Sequence, residues 1–176
     1  MRRFIFVVCS FALVLLAVPE SKACGDKVLA LGRAVKLHYV SAHSGSILLY
    51  MRAAPPAATA LSDPSLQSAL KKSRQVVKVV YDSAELNRAL ERGNYDLIVA
   101  DSADADGIEQ QLLTMSSHTV VVPVLNQGTK AEASALAKRY HVVIKTPGKT
   151  GSYYTALDEA MELKAKRDEA KVVATK

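Results

Sequence analysis

The sequence predicts a three-layer α/β sandwich around a five-stranded, mostly parallel sheet, and three observations carry that expectation. From Ser46 onward, short β-branched runs alternate with amphipathic stretches, the spacing that βαβ units require. None of the short runs alternates strictly between apolar and polar residues, as befits strands covered by helices on both faces. Pro, Gly, Asp and Thr stand between the runs, where caps and turns need them.

The strands are expected at Ile47 to Tyr50, Val76 to Tyr81, Tyr95 to Ala100, Thr119 to Leu125 and His141 to Lys145. Asp63-Pro64 reads as an N-cap with proline at the first helical position, followed by an inward face of Leu66, Ala69 and Leu70. Asp82 with Glu85 reads as a cap and its box partner, Leu86, Ala89 and Leu90 face inward, and Gly93 ends that helix. After the third strand, Ile108, Leu112, Leu113 and Met115 suggest a helix of about two to three turns beginning near Ala105. Thr129 to Glu132 is a capping box that opens a helix with Leu136 and Tyr140 inward. The last helix, from about Ser152, buries Ala156, Leu157, Ala160, Met161 and Leu163, and residues 165–176 form a charged tail expected to fray. Arg52 to Ser62 is an Ala/Pro-rich connection, long for a βα loop.

The N-terminus reads as an address. Met1-Arg2-Arg3 and the apolar run Phe4 to Val18 have the charge and length of a secretory signal, shorter than the ~20 residues of a membrane span. Ser21-Lys22-Ala23 supplies a cleavage site, so residues 1–23 are expected to be removed and the product exported, periplasmic or secreted. Cys24 would then be the first residue and the sole thiol, open to an intermolecular bridge or to lipidation, although Ser21 and Lys22 fit a lipidation signal poorly. A membrane association is expected only through a lipid on Cys24 or an uncleaved signal. In the extension of residues 24–45, Val35, Leu37 and Tyr39 alternate as in an added edge strand, while Asp26 to Leu31 leaves a helix open. Losing Arg2, Arg3, Lys22 and Glu20 from 23 basic and 17 acidic residues leaves 20 and 16, a net charge of +4. With scattered Lys and Arg and no Trp, nucleic acid is not an expected partner. Residues 46–164 are long enough for one self-sufficient core.

The stretch Tyr95-Asp96-Leu97-Ile98-Val99-Ala100-Asp101, with Ala105-Asp106-Gly107-Ile108-Glu109 after it, delivers a carboxylate at the end of a buried strand. Val142-Val143-Ile144-Lys145 with Pro147 delivers a lysine at the end of the fifth. Together with the five βα units, these residues resemble the receiver domain of two-component response regulators, over about Ser46 to Lys164. The resemblance implies a flavodoxin-like, receiver-like fold, with Asp101 at the phosphoacceptor position and Lys145 at that of the phosphoryl-pairing lysine. It also implies an acidic pair for Mg²⁺ after the first strand, where Tyr50-Met51-Arg52 stands instead. A hard divalent cation needs several oxygen ligands, so neither Mg²⁺ nor another cofactor is expected. Leu125 or Asn126 falls where a receiver has a hydroxyl residue.

Arg52, Asp101, Asn126 and Lys145 all lie near carboxyl ends of strands and are the candidate ligand-binding residues. Asp101 and Lys145, if adjacent, would form an ion pair, and Arg52 is placed to bridge Asp101 or Asp104. Asp104 and Asp106 lack the longer ligand series of a calcium loop, and His38, His43, His118 and His141 lack zinc spacing, so no metal site is expected. Gly148-Lys149-Thr150 is not a P-loop, since Val143 occupies the place of the leading glycine. No residue is expected to be catalytic, because no nucleophile has a recognisable base. The sequence therefore points to an exported receiver-like binding or signalling module that lacks a complete phosphorylation site, with an unidentified protein or small ligand as partner. Two other classes stay open: an anion-binding or enzymatic domain using the cleft around Asp101 and Lys145, and a partner-dependent structural protein of the cell envelope.

Overall fold

The computed structural model describes residues 44–52, 60–115 and 117–174, which lie within the compact unit His38–Lys176. The expectations for the signal segment, for Cys24 and for a strand or helix before Ser44 concern residues outside these.

Five strands, β1 (Ser46–Tyr50), β2 (Val76–Val80), β3 (Leu97–Asp101), β4 (Val120–Asn126) and β5 (Ile144–Thr146), form one sheet in the order β2-β1-β3-β4-β5. All four pairings are parallel, so the sheet is flavodoxin-like throughout. Parallel neighbours need crossover connections, which the helices α1 (Pro64–Lys72), α2 (Ser83–Arg92), α3 (Ser102–Thr114) and α4 (Lys130–Tyr140) supply. Helix α5 (Thr150–Ala174) closes the domain. A short 3₁₀ turn, Ala60–Ser62, lies in the long connection before α1.

The central strands are apolar because both their faces are covered. Ile47, Leu49, Leu97, Val99, Val122 and Val124 pack with Leu66, Leu70, Leu157 and Met161 of α1 and α5. Leu48, Ile98, Ala100 and Val121 pack on the other face with Leu86 and Leu90 of α2, Ile108 and Leu112 of α3, and Tyr140 of α4. Each such Leu or Ile contributes roughly 1.5–3 kcal/mol through burial.

Local capping chemistry sets most boundaries. Asp63 accepts the N–H groups of Ser65 and Leu66 with Pro64 at the first helical turn, and Thr129 and Glu132 form the full reciprocal box at α4. At α2, Asp82 accepts the Glu85 N–H at 2.6 Å, but the Glu85 carboxylate reaches one residue further back, to the Tyr81 N–H at 2.9 Å.

Three boundaries depart most from the sequence reading. Helix α3 begins at Ser102, not near Ala105, and runs 13 residues. Residue His141 is the cap of α4 with φ of 67°, so the fifth strand starts only at Ile144. Helix α5 continues to Ala174 through the segment expected to fray, where Lys164 pairs with Asp168 and Lys166 with Glu162 one turn away.

Candidate functional site

The carboxyl edge of the sheet gathers the residues on which the receiver resemblance rests, and the geometry there starts with Asp101. It is at once the last residue of β3 and the N-cap of α3, its Oδ1 accepting the Ala103 N–H at 3.0 Å. This bond explains the early start of α3: a carboxylate at the strand end satisfies an orphan donor of the helix, so no intervening loop is needed. The negative charge also sits favourably at the helix N-terminus.

The neighbouring charges are likewise engaged. Arg52, just after β1, hydrogen-bonds and pairs with Asp104 in the first turn of α3. Asp104's side chain is only 9% exposed and Arg52's 59%, so the arginine lies as a lid on a largely covered carboxylate. Asp106 accepts a hydrogen bond from the Tyr140 hydroxyl and pairs with Arg139 at 2.8 Å, while Glu109 pairs with Arg139 at 2.7 Å. The Tyr140 hydrogen bond, and after it Arg139, hold the Asp106 carboxyl below the ordinary carboxylate range. Burial first, then Asp106, push the Tyr140 phenol upward. Asp104 and Asp106 thus serve separate protein cations. Among the described residues, no three His, Cys, Asp or Glu side chains gather as metal ligands.

Sheet register decides where Lys145 goes. Asp101 stands level with Val124, and Val124 with Ile144. Level residues on adjacent strands share a face, and successive residues alternate. Asp101, Val124, Ile144 and Thr146 therefore belong to the α1/α5 face, and Lys145 to the opposite one. Lys145 is exposed and lines a groove with Lys130, His141 and Glu159. Asp101 and Lys145 are therefore not side by side, because Lys145 directly follows Ile144, whose side chain takes the α1/α5 face with Val142. Asn126 is exposed and level with Thr146, whose carbonyl accepts the Gln127 N–H at 2.8 Å. Of the four candidates, Arg52 and Asp101 converge on the first turn of α3; Asn126 lies two strands from β1, and Lys145 faces away.

Two residues at this edge escaped the sequence reading. Thr146 is 4% and Tyr153 1% exposed; the Thr146 hydroxyl finds no hydrogen-bond partner among the described residues, while the Tyr153 hydroxyl sits close to Gly148 and Asp63. Tyr153 lies against Gly148, where an added Cβ would meet the Lys145 carbonyl at 2.9 Å. Burial raises the Tyr153 phenol above its usual pKa, and the nearby Asp63 carboxylate adds to it. The apolar stripe of α5, continued one turn back from Leu157, would have found Tyr153.

A Mg²⁺ ion does not fit this edge. Asp101 is bonded to the helix, Met51 and Arg52 supply no carboxylate, and the Arg52 guanidinium with its Asp104 partner occupies the approach from β1. Compared with known families and with curated proteins, the chain matches none.

Proposed function

We propose that the chain is an exported receiver-like binding or signalling module in which the phosphoacceptor position serves as a helix cap. The bond from the Ala103 N–H to Asp101 Oδ1 carries this reading, since it commits one carboxylate oxygen to the helix, while an acceptor carboxylate also needs a metal beside it and a cation facing it. Arg52 is engaged with Asp104, and Lys145 projects from the other face of the sheet. Export is supported by the charged head, the apolar run and the Ser21-Lys22-Ala23 site. Signalling would then run through contacts of the folded domain with a protein or ligand and not through a transferable phosphoryl group.

Incubation of the full chain with acetyl phosphate and Mg²⁺, followed by intact mass measurement, tests the reading. The unmodified mass should persist. Uptake of phosphate by the wild type and its loss in Asp101→Ala would contradict it.

Small-ligand binding at the same edge is the second reading, favoured by the buried Thr146 hydroxyl.

A further inference from the structure

Strand β5 is an edge of the sheet, hydrogen-bonded among the described residues on one side only, to β4. The Gln127 N–H donates to the Thr146 carbonyl across that pairing. Bonding direction alternates along a strand, so Ile144 and Thr146 face β4 while the backbone groups of Val143 and Lys145 face outward. The outward N–H groups of Val143 and Lys145 and the Val143 carbonyl have no partner among the described residues.

Unpaired sheet edges are ordinarily covered or blunted. This one lines a groove of about 340 Å³ between α4 on one face of the sheet and α5 on the other. The walls are short side chains, Ala133 and Ala137 of α4 and Ala156 of α5, so Val143 and Lys145 themselves contribute to the lining. An open strand edge walled by a helix is the arrangement into which an extended peptide adds as a strand.

The charges are divided between the walls. Lys130 of α4 and Lys145, whose side chain takes the α4 face, stand on one side, and Glu159 of α5 on the other. None of the three has an ion-pair partner among the described residues. A lysine on an edge strand discourages pairing with a second copy, whose own lysine would come close. The same lysine attracts a strand that carries carboxylates.

We propose that this groove binds an extended acidic peptide segment of a partner protein, added as a further strand beside β5. Its backbone bonds Val143 and Lys145. Side chains alternate across a strand, so its carboxylates, at alternate positions, face Lys130 and Lys145, and the residues between them lie on Ala156 beside Glu159. The inference rests on the binding reading above and names the chemistry of the partner. It does not involve Asp101, so peptide binding and phosphate uptake fail or hold separately.

Titration of the full chain with a short blocked peptide of alternating glutamate and valine, followed by backbone amide shifts, provides the test. Saturable shifts should centre on Val143 and Lys145. The same peptide with lysine in place of glutamate should bind weaker by about tenfold or more. So should one N-methylated at the amides that face β5, which removes ladder bonds and no charge. Lys145→Glu, at an exposed position, should weaken the glutamate peptide by about threefold or more. Equal binding of the lysine or the N-methylated peptide, undiminished binding in Lys145→Glu, or no saturable shift at Val143 and Lys145 would overturn the proposal. Shifts there that follow protein concentration without peptide would overturn it as well, because a second copy would then hold the edge.

Discussion

The two ends of the sheet use charge in opposite ways. At the carboxyl edge, Asp101, Asp104 and Asp106 are each satisfied by a helix N–H, an arginine or a tyrosine of the same domain. At the amino edge, Asp96 and Asp168 share the single ammonium of Lys164 beside a groove on which α2 and α3 end. Fold-level expectation puts ligands at the carboxyl ends of strands. In this chain, the carboxylates there are spent on building the fold, while the buried Thr146 hydroxyl at the same edge has no partner among the described residues. Position in an α/β sheet is thus a weaker guide than a census of which polar groups remain available.

The largest expected effect separates the floor of the amino-edge groove, Leu112, from its rim, Met115. Leu112→Ala should cost about 2–5 kcal/mol in urea unfolding, whereas Met115→Ala, at a residue 39% exposed, should stay within about 0.5 kcal/mol. Similar costs for the two would mean that the rim is packed and the groove closed. At the carboxyl edge, Arg52→Ala should cost only about 0.2–1 kcal/mol and less at high salt, because the arginine is mostly solvated. A cost well above that range would make the pair a structural lock. Thr146→Val should be neutral or slightly stabilising, within about 0.5 kcal/mol, since the buried hydroxyl makes no bond among the described residues. A loss above about 1 kcal/mol would reveal a hidden partner and favour ligand binding at this edge.

Acid titration probes the Asp106 network. A carboxylate whose pKa is lower in the fold than in the unfolded chain contributes stability that is fully present above the unfolded value, about 4. That contribution is lost as pH falls through the lower folded value. Urea midpoints of the wild type should therefore decline below about pH 4 more steeply than those of Tyr140→Phe, which lacks the main cause of the shift. Parallel declines would show that Tyr140 does not hold Asp106.

Much of the fold was legible in the sequence because its signals are local. Asp63-Pro64, Asp82 and the Thr129/Glu132 box sit at helix starts, and β-branched runs mark the strands between them. The candidate site was legible only in part. Charge left Arg52 to bridge either Asp101 or Asp104, and only the fold picks Asp104; the face of Lys145 follows from the register of β5 on β4, which no local signal gives. Asp101 was ambiguous for a different reason: a residue that ends a strand and a residue that caps a helix look alike when no loop separates the two. Tyr153 was missed because its polar tip masks a position on the buried stripe of α5.

The central claim is that Asp101 serves the fold as a cap. Urea unfolding of Asp101→Ala beside Asp101→Asn tests it most directly, because Asn caps about as well as Asp but Ala cannot. Asp101→Asn should lie within a few tenths of a kcal/mol of the wild type, and Asp101→Ala should lose about 0.5–2 kcal/mol. A stabilised Asp101→Ala, as expected where a carboxylate is held in place for reaction at the expense of the fold, would contradict the account.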